Sequence, residues 1–265
     1  MKMAAAVLAM AFVLAGFSTA RAEVKTEVVE YRHGDVALEG FLAYDDVLRE
    51  KRPGVLVAHE WNGHNSYVRK RAEQLARLGY VAFALDMYGK GVRGKDAKES
   101  AALAAIYKGD RKLMRARAAA GLDVLRRRPE TDPTRLAAIG YCFGGTIVLE
   151  LARGGADLVS VVSFHGGLDT PTPEDARNIK GKVLALHGGD DPFVPIKQVE
   201  AFQEEMRKGG VDWQFVSYGG AVHGFTNPES GSDNTKGAAY NERADRRSWE
   251  AMKTFFAESL GGKGM

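Results

Sequence analysis

The sequence predicts one α/β domain, with a mostly parallel central sheet and helices on both faces. Three observations carry this. Short, continuously apolar runs such as PGVLVAHE (53–60) and YVAFALD (80–86) suit strands buried on both faces of a parallel sheet. Segments with apolar residues at helical spacing alternate with them, and that alternation implies right-handed crossovers. The length from about residue 23 to 265 fits a single unit of this kind, which runs to roughly 250 residues.

The first 22 residues read as a cleavable export signal. Lys2 supplies the positive start, Ala4 to Phe17 the apolar stretch, and Ala20-Arg21-Ala22 an A-x-A cleavage site. The stretch is short for a membrane span. The expectation is therefore a single domain over 23–265, periplasmic or secreted, free of the membrane after cleavage.

The elements follow in order. Residues 24–46 alternate apolar and polar positions around a His33-Gly34-Asp35 turn, which predicts an antiparallel strand pair at one edge. A strand at 53–60 precedes a helix from Asn65 to Gly79, whose apolar positions include Val68, Ala72, Leu75 and Leu78. A strand at 80–86 precedes helical sequence from Asp96 to Arg128, broken near Lys108-Gly109-Asp110. Thr134 to Gly140 is a strand and Thr146 to Arg153 a helix. Strands at 157–166, 182–191 and 212–220, a helix from Pro195 to Lys208 and a last helix from Ala238 to Leu260 complete the series. The stretches 89–100 and 226–237 read as loops at the edge that bears the site.

Hydrophobic residues make up 45% of the chain, enough for a sizeable core. Of the 37 basic residues, Lys2 and Arg21 leave with the signal, so 35 face 34 acidic ones. That balance argues against a nucleic-acid or acidic-membrane partner recruited by bulk charge.

The chain has one cysteine, Cys142, so no disulfide forms within it. A lone thiol in an oxidising compartment is exposed to oxidation and intermolecular pairing. Its bland role would be that of a small buried hydrophobe. Its setting points further. Gly140-Tyr141-Cys142-Phe143-Gly144 has the form of a nucleophile elbow, with Cys in place of Ser. The glycines let strand and helix pass close to the strained turn. The helix N-terminus then faces the sulfur, and the Phe143 N–H faces a developing oxyanion.

An elbow needs an acid and a histidine, in that order, after the nucleophile. Asp190 and Asp191 follow the strand at KVLALHGG, and Asp191 is taken as the acid. His223 follows the strand at 212–218 and is taken as the base. His59, His165 and His187 also sit near strand ends and read as structural histidines, since none follows the acid in the required order.

Taken together, GYCFGG, HGGDDPFVP and AVHGF resemble the dienelactone hydrolase family of α/β-hydrolases. AHEWNGHNSYVRKRAEQLARLGYVAFALDMYG is similar to that family's first βαβ unit, and AAYNERADRRSWEAMKTFF to its last helix. The likeness covers nearly all of the mature chain. It implies a carboxylic ester hydrolase of the carboxymethylenebutenolidase kind, with Cys142 as nucleophile, Asp191 as acid and His223 as base. It implies the Trp61 N–H as the second oxyanion donor. It places Glu60 at the family's strand-end glutamate, which contacts the resting thiol and is displaced as substrate binds. The implied reaction is hydrolysis of a lactone or small carboxylic ester through an acyl-thioester, with no cofactor and no metal. Tyr88, Lys90 and Asn227 are candidate pocket residues; Lys90 and Asn227 stand where family members hold a substrate carboxylate with arginines. A carboxylate beside the thiol would also disfavour a free thiolate and so shield it from oxidation.

Other patterns are weaker. HEWNGH (59–64) lacks the zincin spacing, and Gly63 keeps its histidines off one helix face. Gly89 to Lys95 approaches a P-loop, but Asp96 stands where Ser or Thr must meet Mg²⁺. Two other functions use the same fold: a thiol redox protein, which would need an outside reductant, and a catalytically silent small-ligand binder.

Overall fold

The computed structural model describes residues 24–261; the export signal expected over 1–22 lies outside the described residues. Strands β1 (Val24–His33) and β2 (Val36–Asp45) pair antiparallel across the turn at Gly34, in register from Val24 opposite Asp45 to His33 opposite Val36. β3 (Arg52–Ala58), β4 (Val81–Ala84), β5 (Thr131–Tyr141), β6 (Ser160–Phe164), β7 (Lys182–Gly188) and β8 (Trp213–Tyr218) run parallel to one another. The sheet order is β1-β2-β4-β3-β5-β6-β7-β8.

The chain steps outward from β3 to β4, then returns over β3 to reach β5. Connections therefore leave the carboxyl ends of β3 and β5 in opposite directions, and a crevice opens between them. This reversal puts the residues after β3 beside those after β5.

Helices α1 (Ser66–Arg77) and α6 (Glu242–Leu260) cover one face of the sheet. Helices α2 (Ala97–Gly109), α3 (Arg111–Arg126), α4 (Phe143–Arg153) and α5 (Ile196–Gly209) cover the other. The break expected near 108–110 falls at Asp110. Its backbone closes α2, and its carboxylate accepts the Leu113 N–H at 2.9 Å to cap α3. Asn65 and Asn241 cap α1 and α6 in the same way.

Several boundaries differ from the expectation: β4, β6, β7 and β8 are shorter than the apolar runs that predicted them, and three shifts have a local cause. β5 begins at Thr131 rather than 134, because Arg52 and Pro53 pair with Thr131 and Asp132 before a register shift brings Gly54 opposite Leu136. α4 begins at Phe143 rather than Thr146. Gly144 and Gly145 are poor helix formers, and tertiary packing overrides that preference. α6 begins at Glu242 rather than Ala238, since Ala238 bridges to His223 instead.

Every residue of α4 is buried. It carries two charged side chains, and both are met. The Arg153 guanidinium contacts Glu205 at 2.7 and 2.8 Å, Glu150 at 3.1 Å and the Leu168 carbonyl at 3.0 Å. Arg115 reaches Glu150 from α3 at 2.9 Å.

Candidate active site

The residues singled out above cluster past the carboxyl ends of parallel strands. Glu60 and Trp61 follow β3, Tyr88 follows β4, Cys142 follows β5, Asp191 follows β7 and His223 follows β8. Cys142 sits at φ 53°, ψ −116°, a strained backbone for a residue with a side chain. The glycines around it answer to close approach. A Cβ on Gly140 would lie 2.0 Å from the Gly144 oxygen, and one on Gly144 would lie 2.2 Å from the Ala58 oxygen.

Cys142, His223 and Asp191 form a hydrogen-bonded row. His223 Nε2 lies 3.1 Å from Cys142 Sγ, and His223 Nδ1 lies 2.8 Å from Asp191 Oδ2. Asp191 Oδ1 accepts the N–H groups of Phe193 at 2.8 Å and Val194 at 3.2 Å. Asp190 is exposed and turns the other way, accepting the Gly220 N–H at 3.1 Å. His223 is held by its own backbone too: its N–H donates to Gly237 and its carbonyl accepts from Ala239. Burial alone would lower the His223 pKa. The Cys142 sulfur and the Asp191 carboxylate beside it outweigh burial and push it up to about 10.

The N–H groups of Phe143 and Trp61 have no acceptor among the described residues. Tyr88 organises both. Its hydroxyl donates to the Trp61 carbonyl at 2.8 Å, and its ring stacks on that of Phe143 with centroids 5.9 Å apart.

Glu60 is buried, and Asn227 Nδ2 donates to its Oε2 at 2.6 Å. Burial raises its pKa to about 7, against the opposing pull of the Asn227 hydrogen bond and the His223 charge. No hydrogen bond joins Glu60 to Cys142, so the contact to the resting thiol that the resemblance implied is absent in this arrangement. Lys90 is not brought to the site. Its ammonium pairs with Glu30 on β1, at the sheet edge, and its backbone joins Ala37 of β2. Local sequence placed it after β4 but could not show that a carboxylate from β1 would claim it.

Sequence reasoning missed a buried polar chain beneath the row. His165 Nδ1 accepts the Cys142 N–H at 3.1 Å, and His165 Nε2 lies 2.7 Å from Thr226 Oγ1. Tyr67 Oη is 2.6 Å from the same Thr226 oxygen. Arg71 bonds Tyr67 Oη, the Thr226 carbonyl and Asp245 at 3.2, 2.7 and 2.6 Å. The strand-end position of His165 was the one available signal; Thr226 and Arg71 gave none.

Among the described residues no three His, Cys, Asp or Glu are placed to hold a metal ion. His59 is instead tied up by the Glu60 carbonyl at 2.6 Å and the Met87 N–H at 3.2 Å. No described helix is long and apolar enough to cross a membrane. An open cleft of about 560 Å³ lies at the opposite edge of the sheet, among Thr134, Asp157, Lys180, Lys182 and Asp212, away from the row.

An elbow at the carboxyl edge of an eight-stranded, mostly parallel sheet, facing a histidine from the last strand's loop, defines the class as an α/β-hydrolase. Residues 38–260 match the model of the dienelactone hydrolase family, and the chain belongs to that family. A solved dienelactone hydrolase-like promiscuous phosphotriesterase from metagenomic libraries is 42% identical with a TM-score of 0.85, covering 90% of this chain and 99% of its own. A Synechocystis sp. protein provisionally named a carboxymethylenebutenolidase is 28% identical over 265 residues, 90% of this chain and 98% of the relative. Protein usf of Aquifex pyrophilus is 27% identical over 237 residues, covering 88% of this chain and 99% of the relative. The chain is thus an enzyme of the carboxylic ester hydrolase type.

Proposed function

We propose that this enzyme hydrolyses a lactone or small carboxylic ester through an acyl-thioester on Cys142. The observation that carries this is the row from Asp191 through His223 to the sulfur, at 2.8 and 3.1 Å, on a strained elbow. His223 Nε2 already holds the proton of the Cys142–His223 pair as Sγ attacks the carbonyl carbon. The oxyanion that forms meets the N–H groups of Phe143 and Trp61. The intermediate collapses, the C–O bond breaks, and the leaving alkoxide takes the proton from His223. Water then attacks the thioester carbonyl as His223 accepts its proton, the C–S bond breaks, and the carboxylic acid product leaves with that proton still held by the Cys142–His223 pair. Asp191 holds the ring with Nδ1–H directed at itself. These steps need water and no cofactor. Glu60 gates the thiol only if its carboxyl leaves Asn227 and turns toward Cys142.

The pocket favours an uncharged ester. Lys90 faces Glu30 and Asn227 is engaged by Glu60, so neither offers a free charge to a substrate carboxylate. Export to the periplasm or beyond is part of the same proposal and rests on the leader sequence alone.

The test is turnover by purified mature protein of a neutral γ-lactone, a carboxylate-bearing dienelactone, a δ-lactone, short aryl esters and an aryl phosphotriester. Wild type, Cys142→Ala and His223→Ala are compared. The expected result is hydrolysis by wild type, best on neutral esters, with loss in both variants. Wild-type activity retained in Cys142→Ala overturns the acyl-thioester. Absence of any turnover together with peroxide consumption moves the thiol redox function forward.

A further inference from the structure

Among the described residues only two that carry a side chain have a positive φ: Cys142 at 53° and His165 at 40°. They are bonded to each other, the Cys142 N–H donating to His165 Nδ1 at 3.1 Å while sharing its hydrogen with the Phe164 carbonyl at 3.0 Å. Strained backbone of this kind persists where its surroundings over-determine it. His165 directly follows β6, and its own N–H donates to the Leu186 carbonyl at 2.8 Å. Its ring is fully buried, edge-on to His223 with centroids 5.4 Å apart.

The hydrogen bonds fix its tautomer. Nδ1 accepts, so the ring hydrogen is on Nε2, which donates to Thr226 Oγ1 at 2.7 Å. Thr226 lies three positions past His223 on the same loop. It is anchored from behind by Tyr67, and its carbonyl by Arg71. One imidazole thus joins the turn that carries the sulfur to the loop that carries the base.

We propose that His165 is a positioning residue, whose neutral imidazole sets the Cys142–His223 distance by bonding the elbow at Nδ1 and the His223 loop at Nε2. This rests on the hydrolase function proposed above but not on any particular substrate. The titratable and charged groups around the ring are Cys142, His223, Tyr141 and Arg71. Burial first, then the positive charges of His223 and Arg71, hold the His165 pKa well below 6.5, so Nδ1 remains an acceptor at neutral pH.

Two amide substitutions separate the two bonds. His165→Asn puts an oxygen near the place of Nδ1 and abandons Thr226. His165→Gln puts an amide N–H near the place of Nε2 and abandons the Cys142 N–H. His165→Phe removes both. Each is made in the full mature protein and followed by the pH profile of Cys142 alkylation with iodoacetamide, by kcat and KM on the best ester, and by thermal melting. The expected result for His165→Phe is alkylation at pH 7 slowed by about tenfold or more, a profile shifted to higher pH, and kcat lowered with KM nearly unchanged. His165→Asn should recover most of the alkylation rate, and His165→Gln less. A folded His165→Phe with the wild-type profile overturns the proposal, as does a loss that merely follows melting temperature across the three variants. If His165→Phe does not fold, Thr226→Val removes the Nε2 acceptor, together with the Tyr67 hydroxyl contact, and leaves the bond from the Cys142 N–H to Nδ1 in place. It should shift the profile in the same direction, and an unshifted profile overturns the proposal. Alkylation needs no substrate, so failure of ester turnover and failure of this inference are distinguishable.

Discussion

Asp191 gives one oxygen to His223 and the other to the chain that follows it. Oδ2 lies 2.8 Å from His223 Nδ1, while Oδ1 accepts the N–H groups of Phe193 and Val194. The neighbouring Asp190 faces outward onto Gly220. Asp191→Asn directs an amide at Nδ1–H or forces the other tautomer. It should lower kcat by about 10² to 10⁴ with little change in KM. Asp190→Asn should stay within about threefold of wild type. Steady-state kinetics on the best ester decide this, and equal losses in the two variants would show that the acid is misassigned.

Glu60 ties stability to pH. Its carboxyl, raised by burial from 4.5 to about 7, keeps a proton in the folded state that the unfolded chain has already released. This group therefore costs stability as pH rises from about 4.5 through 7, and the full cost, about 3 kcal/mol, is present above that window. Glu60→Gln cannot ionise, and its amide oxygen can still accept from Asn227. Urea denaturation of wild type and Glu60→Gln from pH 5 to pH 8 should show the variant gaining on wild type as pH rises. A gap that stays constant removes the basis for this prediction.

His223, raised to about 10, keeps its positive charge opposite the sulfur across the neutral range. Alkylation of Cys142 in wild type should therefore change little between pH 7 and 9. In His223→Ala, which lacks that positive charge, it should be slower at pH 7 than in wild type and depend on pH across the range. Parallel profiles in the two proteins would mean that the pair does not act as a unit.

Arg153 holds Glu150 and Glu205 in a fully buried cluster at the far end of α4 from Cys142. Arg153→Met leaves Glu205 without its guanidinium and should cost about 3–5 kcal/mol. Chemistry in the folded fraction should hold within about threefold. Denaturation curves and kcat measured well below the melting temperature separate the two effects.

Much of this molecule could be read along the chain. Apolar runs between helical segments carry the sheet, because strand and helix periods are local properties. Gly140 and Gly144 around Cys142 announce the elbow, because the close approach to Gly144 and Ala58 admits no side chain. The order of Cys142, Asp191 and His223 follows from strands laid side by side, each delivering its next residue to the same edge.

What the tertiary structure alone decided is which groups meet. Glu60 and Asn227 are 167 positions apart, Cys142 and His223 81, and His165 and Thr226 61. Lys90 was drawn to Glu30 at the edge, Asp191 rather than Asp190 faces His223, and His165, which looked merely structural, bridges the Cys142 turn to the His223 loop. The physical reason is one of range. Backbone geometry is set by residues within a turn of one another, whereas hydrogen bonds and buried charges depend on crossovers that bring distant segments together.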